Sequence, residues 1–151
     1  MRPVIVLYDA DCGFCRWAMA WAMRRDDHHV LVSVPIQSPL GSELLADIEP
    51  NDRLRSAHVI ADDGRRRSGG AAAGDVLSAL PPTRALGRLA NRLPSTTALL
   101  YGVVAKRRIG FGRLVGNEAR ARADRLLRAS SVTTAAELEA RSQSRTQRSE
   151  T

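Results

Sequence analysis

A chain of 151 residues with 44% hydrophobic composition fits one domain with a tail, and it can bury a core without disulfide scaffolding. Its net charge of +7 comes almost wholly from arginine, Lys106 being the only lysine. Residues 1–7 are too short for a secretory h-region and no run reaches the ~18 apolar residues of a membrane span, so the chain reads as soluble and cytoplasmic. In that setting its two cysteines, Cys12 and Cys15, point to redox, catalytic or metal chemistry rather than to a structural staple.

Residues 4–8 form a continuous apolar run rich in β-branched side chains, which predicts a strand buried on both faces. The run stops at a polar turn, Asp9-Ala10-Asp11, followed by Cys12-Gly13-Phe14-Cys15. From there Phe14, Trp17, Ala18 and Trp21 recur at helical spacing, and residues 18–23 contain only alanine, methionine and tryptophan. A helix this apolar must be covered on most sides. Asp11 is its expected N-cap, with Cys12 at the first helical position. Residues 30–34 give a second β-type run closed by Pro35, and a crossover of this length makes the two strands parallel with right-handed connection.

Ser38-Pro39 is an N-cap followed by proline in the first turn, opening a helix to about Glu49 with Leu40, Leu44, Leu45 and Ile48 on its apolar face. After a polar linker, residues 57–61 predict a strand, Asp62-Asp63-Gly64 a hairpin turn, and residues 65–68 an antiparallel edge partner. Gly69-Gly70 then opens a helix that Pro81-Pro82 ends, and Thr83 caps another through Arg92. A further helix is expected from Ser95 or Thr96 to about Arg108, sending Leu99, Leu100, Val103 and Val104 inward, followed by a loop punctuated by Gly110, Gly112 and Gly116. Residues 118–129 form an amphipathic helix with Ala119, Ala123, Leu126 and Leu127 inward. The domain is therefore expected to span residues 1–129, with residues 130–151 a disordered polar tail.

The order βαβ-α-ββ-α, with CxxC at the first strand-to-helix junction, is a thioredoxin-like α/β arrangement extended by C-terminal helices. At these residues the chain resembles the DCC family of thiol-disulfide oxidoreductases, whose signature is Asp-x-x-Cys-x-x-Cys. Asp9, Cys12 and Cys15 match it, and Val34-Pro35-Ile36-Gln37-Ser38, Asp63-Gly64 with Gly69, and Tyr101-Gly102-Val103-Val104-Ala105 are similar too, so the likeness covers roughly residues 4 to 116. Ala10 stands where glycine is expected after Asp9, and Arg55-Ser56-Ala57 stands just before the third strand, where thioredoxins place a cis-proline, with no proline nearer than Pro50. The resemblance implies a redox-active cysteine pair with no cofactor, acting on a disulfide-containing protein or a small thiol substrate.

Disulfide exchange needs a thiolate, an accessible sulfur and a second thiol within reach. Cys12 at a helix N-terminus suits the attacking role, and Cys15, three residues on, the resolving one. Asp9 and Asp11 oppose thiolate formation, which predicts a mildly activated, reducing-type dithiol. Asp9 is either a proton acceptor for the resolving thiol or a turn carboxylate bonding backbone N–H groups, while Phe14 is a helix anchor or substrate surface. Trp17 and Trp21 read as core.

A structural zinc site wants four ligands, and only His28, His29 and His58 could join the cysteines, so no metal is expected. Between Lys106 and Arg128 eight basic residues stand against Glu118 and Asp124, which reads as a solvated helical face or as a site for an acidic partner or an anionic surface. Phe111 is the only aromatic there, which argues against nucleic acid. The alternative to an enzyme is a thioredoxin-like interaction module whose basic C-terminal surface docks a partner without turnover.

Overall fold

A computed structural model describes residues 3–149. Strand β1 (Val4–Tyr8) runs parallel to β2 (Leu31–Pro35) and antiparallel to β3 (His58–Ile60), and β4 (Arg66–Ser68) pairs antiparallel with β3, giving the order β2-β1-β3-β4. Val4 faces Leu31 and Tyr8 faces Pro35 across the parallel pair. Because side chains alternate along a strand, Val4, Val6 and Tyr8 enter one core while Leu7 enters the other. Both faces are covered, which is why β1 and β2 are apolar at nearly every position.

Helix α1 (Gly13–Met23) makes the crossover from β1 to β2. The buried Asp26 carboxylate closes the return by accepting the N–H groups of Val30 at 2.8 Å and Leu31 at 2.7 Å. Helix α2 (Pro39–Leu44) begins as its sequence predicts, the Ser38 hydroxyl accepting the Gly41 N–H at 3.0 Å. A short helix α3 (Pro50–Arg53) occupies part of the expected linker. Then come α4 (Gly70–Ala79), a 3-10 turn (Pro81–Thr83), α5 (Arg84–Arg92), α6 (Pro94–Leu114), α7 (Asn117–Ser130) and α8 (Ala135–Ser149). The result is a thioredoxin-like α/β topology with extra C-terminal helices.

His58 is buried in β3, its Nε2 2.9 Å from the Arg53 carbonyl and its Nδ1 2.7 Å from the Ser68 hydroxyl. A carbonyl only accepts, so Nε2 carries the proton and Nδ1 accepts from Ser68. Burial lowers the histidine's pKa. This ring ties α3 to the β3–β4 hairpin.

Three expectations are corrected. Helix α6 does not stop near Arg108; it runs through Gly110 and Gly112 to Leu114. Each glycine costs a helix up to ~1 kcal/mol relative to alanine, but α6 is held here by its packing on α1, where Gly112 lies against Phe14 and Phe111 stacks on Phe14 with ring centroids 5.9 Å apart. Nor do Leu99, Leu100 and Val103 enter the core; all three are exposed, and α6 instead turns Ala98 toward Gly70 of α4 and Tyr101 toward Gly69.

The third correction concerns residues 130–149 of the segment expected to be disordered, residues 150 and 151 lying outside the described residues. Val132 is 2% exposed and packs with Leu7, Val32, Val34, Leu40 and Leu45. Its N–H donates to the Ser33 carbonyl at 2.9 Å, and the Thr133 carbonyl accepts from the Leu40 N–H at 3.0 Å, so this segment covers the open edge of β2. Helix α8 follows, capped by Glu137 reaching back to the N–H groups of Thr133 at 2.7 Å and Thr134 at 3.2 Å. A polar composition concealed two apolar residues, Val132 and Leu138, with a specific place to go.

Candidate active site at the start of the first helix

The turn between β1 and α1 is held by Gln37, just past β2. Its amide nitrogen donates to Asp9 Oδ1 at 2.8 Å and Asp11 Oδ2 at 3.2 Å, and its Oε1 accepts the Ala10 N–H at 3.1 Å. Asp9 Oδ1 also accepts the Asp11 N–H at 3.0 Å, the turn-carboxylate arrangement. Asp11 is not the N-cap. That position belongs to Cys12, whose sulfur accepts the Cys15 N–H at 3.3 Å, and the helix starts at Gly13.

Cys15 Sγ lies 2.6 Å from Cys12 Sγ and donates to it. Sharing one proton splits the pair. The Cys12 pKa is lowered to about 6, first by the Cys15 thiol and further by the Cys15 N–H and by Arg108, against burial and the Asp9 charge. Cys15 is pushed up, because ionising it would cost that same hydrogen bond and place two negative charges side by side in a partly buried site. The pair therefore releases its first proton from Cys12 and holds the second on Cys15.

Arg108 reaches the site from α6, its Nη1 3.9 Å from Asp9 Oδ2. From the same helix the Tyr101 hydroxyl accepts the Ala57 N–H at 2.8 Å; burial raises its pKa, and it lies within electrostatic reach of the cysteine pair. Ala57 is the residue before β3, and there is no cis peptide bond among the described residues. Tyr101 thus occupies the backbone donor at the point where thioredoxins carry their proline.

Cys12 is half-buried and lines an open cavity of about 450 Å³ with Asp9, Asp11, Arg16, Arg108 and Arg120. Arg16 pairs with Asp124 of α7 at 3.3 Å, and Arg120 donates to the Gly112 carbonyl, locking α1, α6 and α7 together around the thiols. Part of the basic stretch expected to be solvated is therefore the wall of this cavity. Phe14 lies between Trp17 and Phe111, both at 5.9 Å, as an anchor for α1.

Asp9, Cys12 and Cys15 each offer a ligand atom within 4.8 Å of the others. His58 is engaged at both ring nitrogens, and His28 and His29 are exposed beyond the far end of α1, so these residues fall short of a four-ligand zinc set. What the site offers is a nucleophilic sulfur, a protonated partner in contact with it, and a carboxylate beside both.

Residues 6–114 match the family model described as DCC1-like thiol-disulfide oxidoreductase. The chain belongs to that family. Comparison with the curated proteins and with the solved structures found no match. Membership in the DCC1-like family agrees with the CxxC pair and the thioredoxin-like topology, and it makes the chain a member of a thiol-disulfide oxidoreductase family. Asp9, Cys12 and Cys15, singled out in the sequence, lie together, whereas Gln37 and Tyr101, noted there only within stretches of family likeness, and Arg108, noted only in the basic run, reach the site from other elements.

Proposed function

We propose that the chain reduces or exchanges disulfides through the Cys12/Cys15 dithiol. The observation that carries this reading is the Cys15 thiol donating to Cys12 at 2.6 Å with Cys12 on the cavity wall. The Cys12 thiolate attacks one sulfur of a substrate disulfide, forming a mixed disulfide and expelling the other sulfur as a thiolate. Cys15 then gives up its proton, with Asp9 the nearest carboxylate to accept it, and attacks Cys12 Sγ. The second substrate thiol leaves, and the products are two substrate thiols and a Cys12–Cys15 disulfide. An external dithiol reductant returns the pair to the reduced state. Arg108 favours the Cys12 thiolate, and Gln37 holds Asp9 in place.

The test is dithiol-dependent reduction of insulin and of a small aromatic disulfide by the full chain, beside Cys12→Ser and Cys15→Ser. Turnover abolished by Cys12→Ser supports the enzyme. Wild-type protein with no activity over the reductant alone would instead leave an interaction module that keeps its cysteines without using them.

A further inference from the structure

Every exposed large apolar side chain among the described residues belongs to α5, α6 or the Leu93 between them. Leu86 and Leu89 within α5, and Thr96, Leu100 and Val103 within α6, recur at three- and four-residue steps, so each helix carries its own exposed apolar side, with Leu93 at the break between them. The opposite side is taken: Gly87 abuts Ser78, Gly74 abuts Asn91 and Gly70 abuts Ala98, all across α4. The apolar ridge therefore points away from the domain, with Leu100 63% exposed.

The same stretch is free of acids. Residues 76–117 hold no aspartate or glutamate and seven basic residues. Arg84, Arg88, Arg92, Lys106 and Arg107 are exposed, and none of the five forms an ion pair with a described residue. Arg84, Arg88 and Arg92 form a row of their own at four-residue steps, centred roughly a third of a turn round α5 from Leu86 and Leu89.

We infer that α5 and α6 form a docking surface for an anionic lipid bilayer, with the leucines entering the acyl boundary and the arginines meeting the headgroups. No helix of the described residues is long and apolar enough to cross a membrane, so the contact is interfacial. A second copy of the chain would set this cationic face against itself. A protein partner is disfavoured by the ridge's composition, since it is wholly leucine and valine and lacks the aromatic and methionine anchors that protein interfaces favour. The surface itself does not depend on the redox reading.

Flotation of the full chain with vesicles tests this, comparing an equimolar mixture of phosphatidylcholine and phosphatidylglycerol with phosphatidylcholine alone. The chain should float with the mixed vesicles, and the bound fraction should fall about fivefold or more on neutral vesicles, in high salt, and in Leu89→Ser/Leu100→Ser or Arg88→Ser/Arg92→Ser protein. These are exposed positions, and an unchanged thermal midpoint verifies that the variants fold. Absence of flotation, or flotation indifferent to the leucine changes, would overturn the inference. So would a dimer in light scattering that the leucine changes dissolve, or leucine-dependent retention on immobilised polyglutamate without flotation.

Discussion

Cys12 owes its acidity to one neighbour more than to any distant charge, since Cys15 supplies both a thiol and a backbone hydrogen bond to the same sulfur. With a pKa of about 6 the thiolate outnumbers the thiol by about ten to one at pH 7. The iodoacetamide alkylation rate of reduced protein should therefore rise with pH to half its plateau near 6, while Cys15 stays unreactive. Arg108→Ala should move that midpoint up and Asp9→Asn should move it down, because the first removes a cation and the second an anion that Cys12 feels. A wild-type midpoint at the ordinary thiol value of about 8.5 would contradict this account of the pair. Asp9, Cys12 and Cys15 were legible in the sequence because three-residue steps at a strand-to-helix junction bring them together locally. Gln37, Tyr101 and Arg108 were not, because the sheet register and the course of α6 set their positions.

At the scale of elements, hydrophobic period and turn chemistry decided β1, α1, β2, the hairpin and the start of α2, since each carries its own start or stop signal. Helix α6 lacked such a signal: its glycines read as a loop, and its leucines outweighed Ala98 and Tyr101, the residues that actually allow close packing on α4 and the hairpin. The hairpin carries a prediction of its own. His58 is neutral and doubly hydrogen-bonded in the fold, with a pKa lowered by burial. The unfolded chain takes up that proton at 6.5, so stability from this ring is complete above 6.5 and is lost as pH falls through the lower folded value. His58→Gln should be less stable than wild type by about 1–2 kcal/mol at pH 7.5, and the gap in denaturant midpoint should narrow as the pH is lowered. A gap that widens in acid would contradict the neutral, buried assignment.

For the whole molecule, the C-terminal segment is a part of the fold that composition concealed. Val132 fills the second core and its backbone pairs with β2, while the Ser131 hydroxyl lies 3.1 Å from both Tyr8 Oη and Ser33 Oγ. A chain ending at Ser130 should lose about 2 kcal/mol or more, lowering Tm by ~4–8 °C, and should aggregate more readily through the uncovered β2 edge. A truncated chain as stable as the full one would return residues 131–149 to the status of a dispensable tail. The arginine excess likewise divides by place: Arg16, Arg108 and Arg120 wall the thiol cavity, whereas Arg84, Arg88 and Arg92 are exposed on α5.

The central claim is that Cys12 attacks and Cys15 resolves, and it is tested most directly by trapping. Reduced Cys15→Ser protein, mixed with a disulfide substrate such as insulin and quenched with acid, should accumulate a mixed disulfide that peptide mass spectrometry assigns to Cys12. Cys12→Ser should accumulate none. An adduct on Cys15 in the Cys12→Ser protein, or no adduct in either variant, would contradict the assignment of the two sulfurs.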